Sequence, residues 1–339
     1  MKKIFIITFL FAATVALVYF FSDSKTQTPK TTTKAPTPTP MPFVEMTIPY
    51  LRENNYDGKL GELKTYADQG NYTSYLANYT SDNLKINGFL TIPKGDKPTG
   101  GWPAIVFVHG YIPPTQYQTT ERYVAYVDTL ARNGFVVFKI DLRGHGESEG
   151  SATGAYYTSD YIVDVLNARN ALAKSDFVNP KKIGLWGHSM AGNVVMRSLA
   201  VKNDIPAVVI WAGAVYSYED FAKYGLNDTS YRPPAQVTQR TNRRNRIVER
   251  FGAITKNSPF WKLVIPTNYL ENFKGAIELH HAVDDNVVNI GYSRDLVKVL
   301  SDKKIKNELF EYPTGGHNVD GASFATAMQR TVDFYRKNL

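Results

Sequence analysis

A serine lies where a predicted strand meets a predicted helix, in the segment Gly187-His188-Ser189-Met190-Ala191-Gly192. Small residues two positions before and two after the serine allow a tight turn, which presents the hydroxyl above a sheet at the N-terminus of a helix. A serine hydroxyl is a weak nucleophile until a base removes its proton. The segment therefore predicts a nucleophile at Ser189, and the competing interpretation is a serine that only caps the helix.

The base and the acid that a serine nucleophile needs are expected later in the chain, because this kind of turn is followed first by the acid and then by the histidine. Only the last three of the six histidines follow the serine, and only His317 also follows both a candidate acid and a strand. The acid candidates are Asp284 and Asp285, just past the C-terminal end of a predicted strand. Spacing alone does not choose between these two carboxylates.

Two backbone N–H groups are also needed, because the oxygen of the attacked carbonyl becomes negatively charged. Met190 follows the nucleophile directly and is expected to supply one. Tyr111, in the loop after an early predicted strand, is the candidate for the second. His109, His145 and His188 are predicted to be structural. No spacing of histidines or carboxylates indicates a metal site, and we predict no cofactor.

These residues have to be positioned by a sheet, and short apolar runs do alternate with helical segments from about residue 85 onward. Such alternation predicts an α/β fold with a mostly parallel sheet and helices on both faces. The predicted strands are 85–93, 104–108, 135–140, 183–186, 207–211, 276–280 and 308–312, and the predicted helices are 121–132, 160–174, 192–201 and 326–337.

Five segments carry a resemblance to a known family, in that family's order: residues 108–111, 141–148, 187–192, 281–287 and 316–317. They resemble the α/β-hydrolase superfamily, and more narrowly the catalytic domain of the prolyl oligopeptidase family of serine peptidases. The resemblance implies the α/β-hydrolase fold and a triad of Ser189, Asp284 and His317, since the family's acid is the first Asp of the pair. It also implies a short helical cap insertion, at about residues 216–275.

The sequence departs from that family in two respects. Residues 43–84 are too few to form the β-propeller that the large peptidases carry. Ala191 and Ala282 stand where the family usually has glycine. The chain therefore also resembles stand-alone esterases of the same superfamily.

The N-terminus has the pattern of a membrane signal. Two lysines precede an apolar run over residues 4–21, and 18 helical residues span about 27 Å, close to the hydrocarbon thickness of a bilayer. We expect residues 1–21 to be an uncleaved signal-anchor helix that holds the rest of the chain outside the cytoplasm. The alternative is a cleaved signal peptide and secretion. Residues 22–42, rich in Thr and Pro, are expected to be an extended linker to a catalytic domain over residues 43–339.

The formal net charge of +8 is unevenly distributed. Residues 1–40 carry +4 and residues 232–262 carry +7, so the remainder is close to neutral. This is not the broad basic face of a nucleic-acid-binding protein, and we expect no nucleic-acid partner. The basic segment Arg240–Arg250 is open to three interpretations: a solvated helix face, a contact with anionic headgroups, or selection of an acidic substrate. The absence of cysteine excludes disulfides and a Cys nucleophile.

The function predicted from these observations is a serine hydrolase of prolyl-oligopeptidase type that cleaves a peptide or aminoacyl bond through an acyl-enzyme. One alternative is a carboxylesterase acting on small or lipid-like esters. A further alternative is a non-catalytic surface binding protein on a hydrolase scaffold. The expected partners are a peptide or ester substrate, and a membrane through the N-terminal helix.

Overall fold

The computed structural model describes residues 41–229, 232, 234–255 and 257–339. The predicted anchor over residues 1–21 lies outside them, as does the predicted linker apart from its last two residues. Residues Phe43–Leu339 form one compact unit. No helix within the described ranges is both long and apolar enough to cross a membrane.

One sheet organises this unit. Its strands are β1 (Lys64–Asp68), β2 (Tyr72–Ser81), β3 (Leu84–Pro93), β4 (Trp102–Val108), β5 (Val136–Ile140), β6 (Val178–His188), β7 (Ala207–Trp211), β8 (Ala276–Ala282) and β9 (Lys306–Tyr312). Their order in the sheet is β1-β2-β3-β5-β4-β6-β7-β8-β9. The first three strands are antiparallel to their neighbours, and the six from β5 to β9 are parallel.

The α-helices are α1 (Ile48–Glu53), α2 (Val124–Arg132), α3 (Asp160–Ala173), α4 (Ala191–Val201), α5 (Glu219–Tyr224), α6 (Pro234–Phe251), α7 (Pro259–Val264), α8 (Gly291–Asp302) and α9 (Ala322–Asn338). Helices α5, α6 and α7 lie between β7 and β8, where the cap insertion was predicted. The predicted α/β-hydrolase fold class is confirmed.

Strand β4 indicates how the sheet is enclosed. Its residues 104–108 are all fully buried, and successive side chains of a strand point to opposite faces. Both faces are therefore covered. On one face Ile105 and Phe107 join a cluster with Trp186 and with apolar residues of α2 and α9. This double burial explains why the parallel strands appear in the sequence as continuous apolar runs.

Two strands were not predicted, β1 and β2. Residues Tyr72–Ser81 alternate between buried and more exposed side chains, but the phase changes at Leu76. Tyr72 and Ser74 are therefore buried on one face of the sheet, and Ala77, Tyr79 and Ser81 on the other. The many tyrosines, threonines and asparagines of this strand hide that alternation from a hydropathy reading. Helix α2 also begins three residues later than predicted, at Val124.

Candidate active site

Ser189 sits in the tight turn between β6 and α4. Its backbone has φ 54°, in the left-handed region that non-glycine residues rarely adopt. Its N–H donates to the carbonyl of Trp211 at 2.9 Å, and its own carbonyl accepts from Gly192 N at 2.9 Å. A Cβ at Gly187 would lie 2.9 Å from the Ala191 oxygen, so only glycine fits there. The turn therefore has the strained geometry that presents a nucleophile.

His317 follows β9 in a short 3₁₀ turn and is oriented by a carboxylate. Its Nδ1 lies 2.8 Å from Oδ2 of Asp285. The Asp285 side chain is completely buried, whereas the His317 side chain is 18% exposed. This geometry directs the Nε2 edge of the imidazole away from the carboxylate, as a general base on a serine requires.

The structure corrects the predicted role of Asp284. Its carboxylate lies on the exposed side of the turn after β8 and accepts hydrogen bonds from the backbone N–H groups of Gly316 at 2.8 Å and Gly315 at 3.4 Å. Asp285, one residue later, has its side chain turned inward to His317. The reason is local: Asp285 Oδ1 accepts from the amides of Val287 and Val288 at 2.8 and 2.9 Å. Those bonds fix the carboxylate and leave Oδ2 for the imidazole.

The surroundings of Asp285 keep it ionised. Burial raises its pKa, but hydrogen bonds from His281, His317 and the Val288 amide outweigh burial and hold the pKa well below its usual range. The His281 Nε2 atom lies 3.2 Å from Asp285 Oδ2, and its Nδ1 lies 2.8 Å from Ser293 Oγ. A permanently charged carboxylate at this position stabilises a positively charged imidazole at His317.

Ser189 and His317 line one cavity of about 720 Å³. Gly110, Tyr111 and His188 line it as well. The carboxyl ends of β4, β6, β8 and β9 meet at this edge, which is where open α/β sheets place their ligands.

A chain of hydrogen bonds behind the cavity includes a residue that sequence reasoning set aside as structural. The Gly110 N–H donates to the Tyr123 hydroxyl at 3.0 Å, and that hydroxyl lies 2.7 Å from His188 Nδ1. Nε2 of His188 lies 2.9 Å from the backbone oxygen of His317. Burial lowers the pKa of His188 to about 3, so its ring is neutral. These hydrogen bonds connect the loop after β4, the serine turn and the loop of His317. No spacing of residues in the sequence indicates that they form.

The two predicted oxyanion donors lie beside the serine. Met190 is the N-terminal flanking residue of α4, and the first N–H groups of a helix have no partner within it. Tyr111 lines the same cavity as Ser189. Gly110 brings this loop close, because a Cβ there would lie 3.2 Å from Ser189 Cβ and 2.9 Å from His188 Nδ1. Their role as donors stays a prediction.

A second cavity, of about 280 Å³, also reaches the serine. Ser189, Met190 and Tyr111 line it, but His317 does not. Four arginines also contribute to its wall: Arg232, Arg240, Arg243 and Arg244. The basic segment of the sequence therefore lies next to the candidate nucleophile.

The remaining histidines of interest are buried away from the reacting atoms. The ring nitrogens of His109 lie 2.7 and 2.9 Å from the carbonyl oxygens of Gly110 and Asp141. Burial lowers the pKa of His109 to about 4, so the neutral ring donates to only one of them. His145 is also buried, with a pKa lowered to about 3. Among the described residues, no three His, Asp or Glu side chains are grouped as a metal site.

Comparison with known proteins gives a family match. Residues 103–246 match the family model described as serine aminopeptidase, S33. The chain is similar to the thiohydrolase aneE of Aspergillus aculeatus, with 30% identity over 135 residues, which are 40% of this chain and 37% of that protein. The chain spans less than half the length of the curated relatives it matches.

Two solved structures are similar in fold. An acetyl xylan esterase from Paenibacillus sp. R4 matches with a TM-score of 0.62 and 15% identity, over 84% of this chain and 91% of that chain. An acylaminoacyl peptidase from Pyrococcus horikoshii matches with a TM-score of 0.60 and 20% identity, over 80% of this chain and 43% of that chain.

Proposed function

We propose that the chain, which has the α/β-hydrolase fold and matches the serine aminopeptidase family model over residues 103–246, is a serine hydrolase that cleaves a peptide or aminoacyl bond through an acyl-enzyme. The observation that carries this proposal is the hydrogen bond between His317 Nδ1 and the buried Asp285 carboxylate, in a loop that shares a cavity with the strained Ser189. A serine without such a base would be too weak a nucleophile.

The reaction follows from the roles of these side chains. Ser189 Oγ attacks the substrate carbonyl while His317 Nε2 takes the hydroxyl proton. Asp285 holds the imidazole by Nδ1 and stabilises its positive charge. The N–H groups of Met190 and Tyr111 stabilise the oxyanion. His317 then gives the proton to the leaving amine, and a water activated by the same imidazole hydrolyses the acyl-enzyme.

The peptidase assignment is supported by the match to the serine aminopeptidase model and by the likeness in fold to 43% of an acylaminoacyl peptidase chain. The cavity of about 720 Å³ on the His317 side has room for a leaving group of several residues.

A second candidate function is a carboxylesterase. One observation favours it: the chain aligns with 91% of an acetyl xylan esterase, an enzyme without the additional length of the peptidases. The triad chemistry would be the same, with an alcohol in place of the amine as leaving group.

The test uses residues 41–339 as a soluble protein, beside Ser189→Ala. Aminoacyl and prolyl p-nitroanilides are compared with a p-nitrophenyl acyl ester. Amide turnover that disappears in the variant supports the peptidase, and ester turnover alone assigns the carboxylesterase. A protein that turns over neither substrate and does not react with a fluorophosphonate at Ser189 would be a binding protein on a hydrolase scaffold, which contradicts the proposal.

We also propose that the catalytic domain lies outside the cytoplasm and is held at the membrane by residues 1–21. The support is the sequence alone, namely the two lysines before the apolar run. N-terminal sequencing of the mature protein from membranes checks this, since a start near Ser22 would mean cleavage instead of anchoring.

A further inference from the structure

Arg240 lines the second cavity beside Ser189, and part of its guanidinium lacks hydrogen-bond partners. Nε and Nη2 of Arg240 are buried and have no hydrogen-bond partner among the described residues. An added Cβ at Gly154 would lie 2.9 Å from Arg240 Nε, so the arginine packs tightly against that loop. Its Cζ also lies 5.2 Å from the centre of the Tyr111 ring. Arg240 is thus held in place without a described acceptor for two of its nitrogens.

Two of the three neighbouring arginines, Arg232 and Arg243, differ from Arg240 in this respect. Arg232 forms an ion pair with Asp228. Arg243 donates to Glu45 Oε1 at 2.8 Å and to the Tyr157 carbonyl at 2.6 Å. No ion pair joins Arg240 to a carboxylate in the described part of the chain. Leaving buried N–H donors without an acceptor is costly, and an anion that reaches them would remove that cost.

The position of the cavity indicates which part of the substrate enters it. The leaving group must be reached by the protonated imidazole, so it lies on the His317 side, in the larger cavity. The smaller cavity is lined by Ser189 and by the predicted oxyanion donors Met190 and Tyr111, but not by His317. The acyl part of the substrate therefore occupies the smaller cavity, with Arg240 at its wall.

We propose that Arg240 binds an anionic group on the acyl part of the substrate, a carboxylate or a phosphate, and so selects acidic acyl groups. This inference rests on the proposed serine hydrolase function and deepens it. The planar guanidinium fits either oxyanion through two parallel N–H bonds. In a peptide the anionic group would be the side chain of an acidic residue at the cleaved carbonyl, and in an ester it would be the far end of the acyl chain.

The test compares matched substrate pairs that differ only in charge. The amide pair is N-acetyl-Glu and N-acetyl-Gln p-nitroanilide. The ester pair is monoethyl adipate and the ethyl ester of adipic acid monoamide, with ethyl 5-phosphonopentanoate as the phosphonate arm. The readout is the ratio of kcat/KM for the anionic substrate to that for the neutral one, because a folding defect lowers both values and leaves the ratio unchanged.

We expect the wild-type ratio to be about 10- to 100-fold, as for a hydrogen-bonded charge pair in a cavity. Arg240→Gln should bring the ratio close to one. Arg246→Gln is the control, since Arg246 is exposed on the same helix and lines neither cavity. A wild-type ratio near one, or a ratio that survives Arg240→Gln, overturns the proposal.

A binding experiment separates this inference from the proposed function. Calorimetry with Ser189→Ala measures the affinity for adipate and for 5-phosphonopentanoate, and needs no turnover. Binding that is lost when Arg240→Gln is added supports the anion site even if no substrate is cleaved, and the tighter of the two ligands identifies carboxylate or phosphate. Absence of binding by both anions contradicts the anion site even if Ser189 proves to be catalytic.

Discussion

Nε2 of His188 lies 2.9 Å from the backbone oxygen of His317, so the residue directly before the proposed nucleophile Ser189 holds the loop of the proposed base. Because burial lowers the pKa of His188 to about 3, the ring stays neutral at physiological pH. With Nδ1 at the Tyr123 hydroxyl, the proton of the neutral ring is on Nε2 and donates to the His317 carbonyl. The serine and the base are therefore positioned by one shared side chain as well as by the sheet.

Asp285→Asn should be far more damaging to activity than Asp284→Asn. The amide at position 285 cannot stabilise a charged imidazole, and the loss in kcat should be about 10⁴-fold, as for the equivalent change in other serine triads. Asp284 accepts hydrogen bonds from the backbone N–H groups of Gly315 and Gly316, so its variant should lose about tenfold or less in kcat. Steady-state kinetics on the cleaved substrate measure both, and a larger loss in Asp284→Asn would refute the assignment of the acid.

Tyr123→Phe removes the hydroxyl that joins Gly110 to His188. The Gly110 N–H and His188 Nδ1 would then be left buried without their partner, which costs about 1–3 kcal/mol of the free energy of unfolding. We also expect kcat to fall, because the loop of Gly110 and Tyr111 and the loop of His317 lose a contact that they share. Urea unfolding and kinetics measure the two effects. Tyr126→Phe is the comparison, since its hydroxyl bonds the Asn318 carbonyl and does not touch His188.

Gly110→Ala should impair catalysis through the shape of the site. The new methyl would lie 2.9 Å from His188 Nδ1 and 3.0 Å from the Tyr123 hydroxyl, closer than carbon atoms normally approach. The loop must therefore move, and Tyr111 moves with it. Since the Tyr111 N–H is a predicted oxyanion donor, we expect kcat to fall about 10²- to 10³-fold.

Gly134→Ala serves as the control for that substitution, because its added methyl has no neighbour within 4 Å although its φ is +87°. We expect it to lower the melting temperature by backbone strain while kcat is retained. Similar kinetics for the two variants would argue against a role of the Gly110 loop in catalysis.

The pH dependence of stability should include His188. An ordinary histidine has a pKa of about 6.5, whereas the pKa of His188 in the folded protein is lowered to about 3. Between these values the unfolded chain binds one more proton than the folded chain. This residue therefore lowers the free energy of unfolding as the pH falls, by about 1.4 kcal/mol per pH unit. In His188→Gln, the free energy of unfolding should fall less steeply between pH 6 and 4.5, by that amount per pH unit. Urea unfolding at several pH values measures this difference. Parallel curves for the two proteins would contradict it.

Much of this architecture can be predicted from the sequence, because a strand buried on both faces has to be apolar throughout. Strand β7 matches its predicted bounds for that reason. The choice between Asp284 and Asp285 could not be made from residue types, since it depends on which carboxylate the Val287 and Val288 amides fix in place. The positioning of His317 by His188 was also missed, because it joins residues 129 positions apart.

The left-handed backbone of Ser189 has a consequence for how this protein can change. A non-glycine residue in that conformation costs about 1–2 kcal/mol relative to glycine, which has no Cβ to clash. The residue proposed as the nucleophile is thus one at which the folded state is under strain. Replacing Ser189 by glycine would relieve this strain and raise thermal stability, but it would remove the proposed nucleophile. Activity and maximal stability therefore favour different residues at position 189.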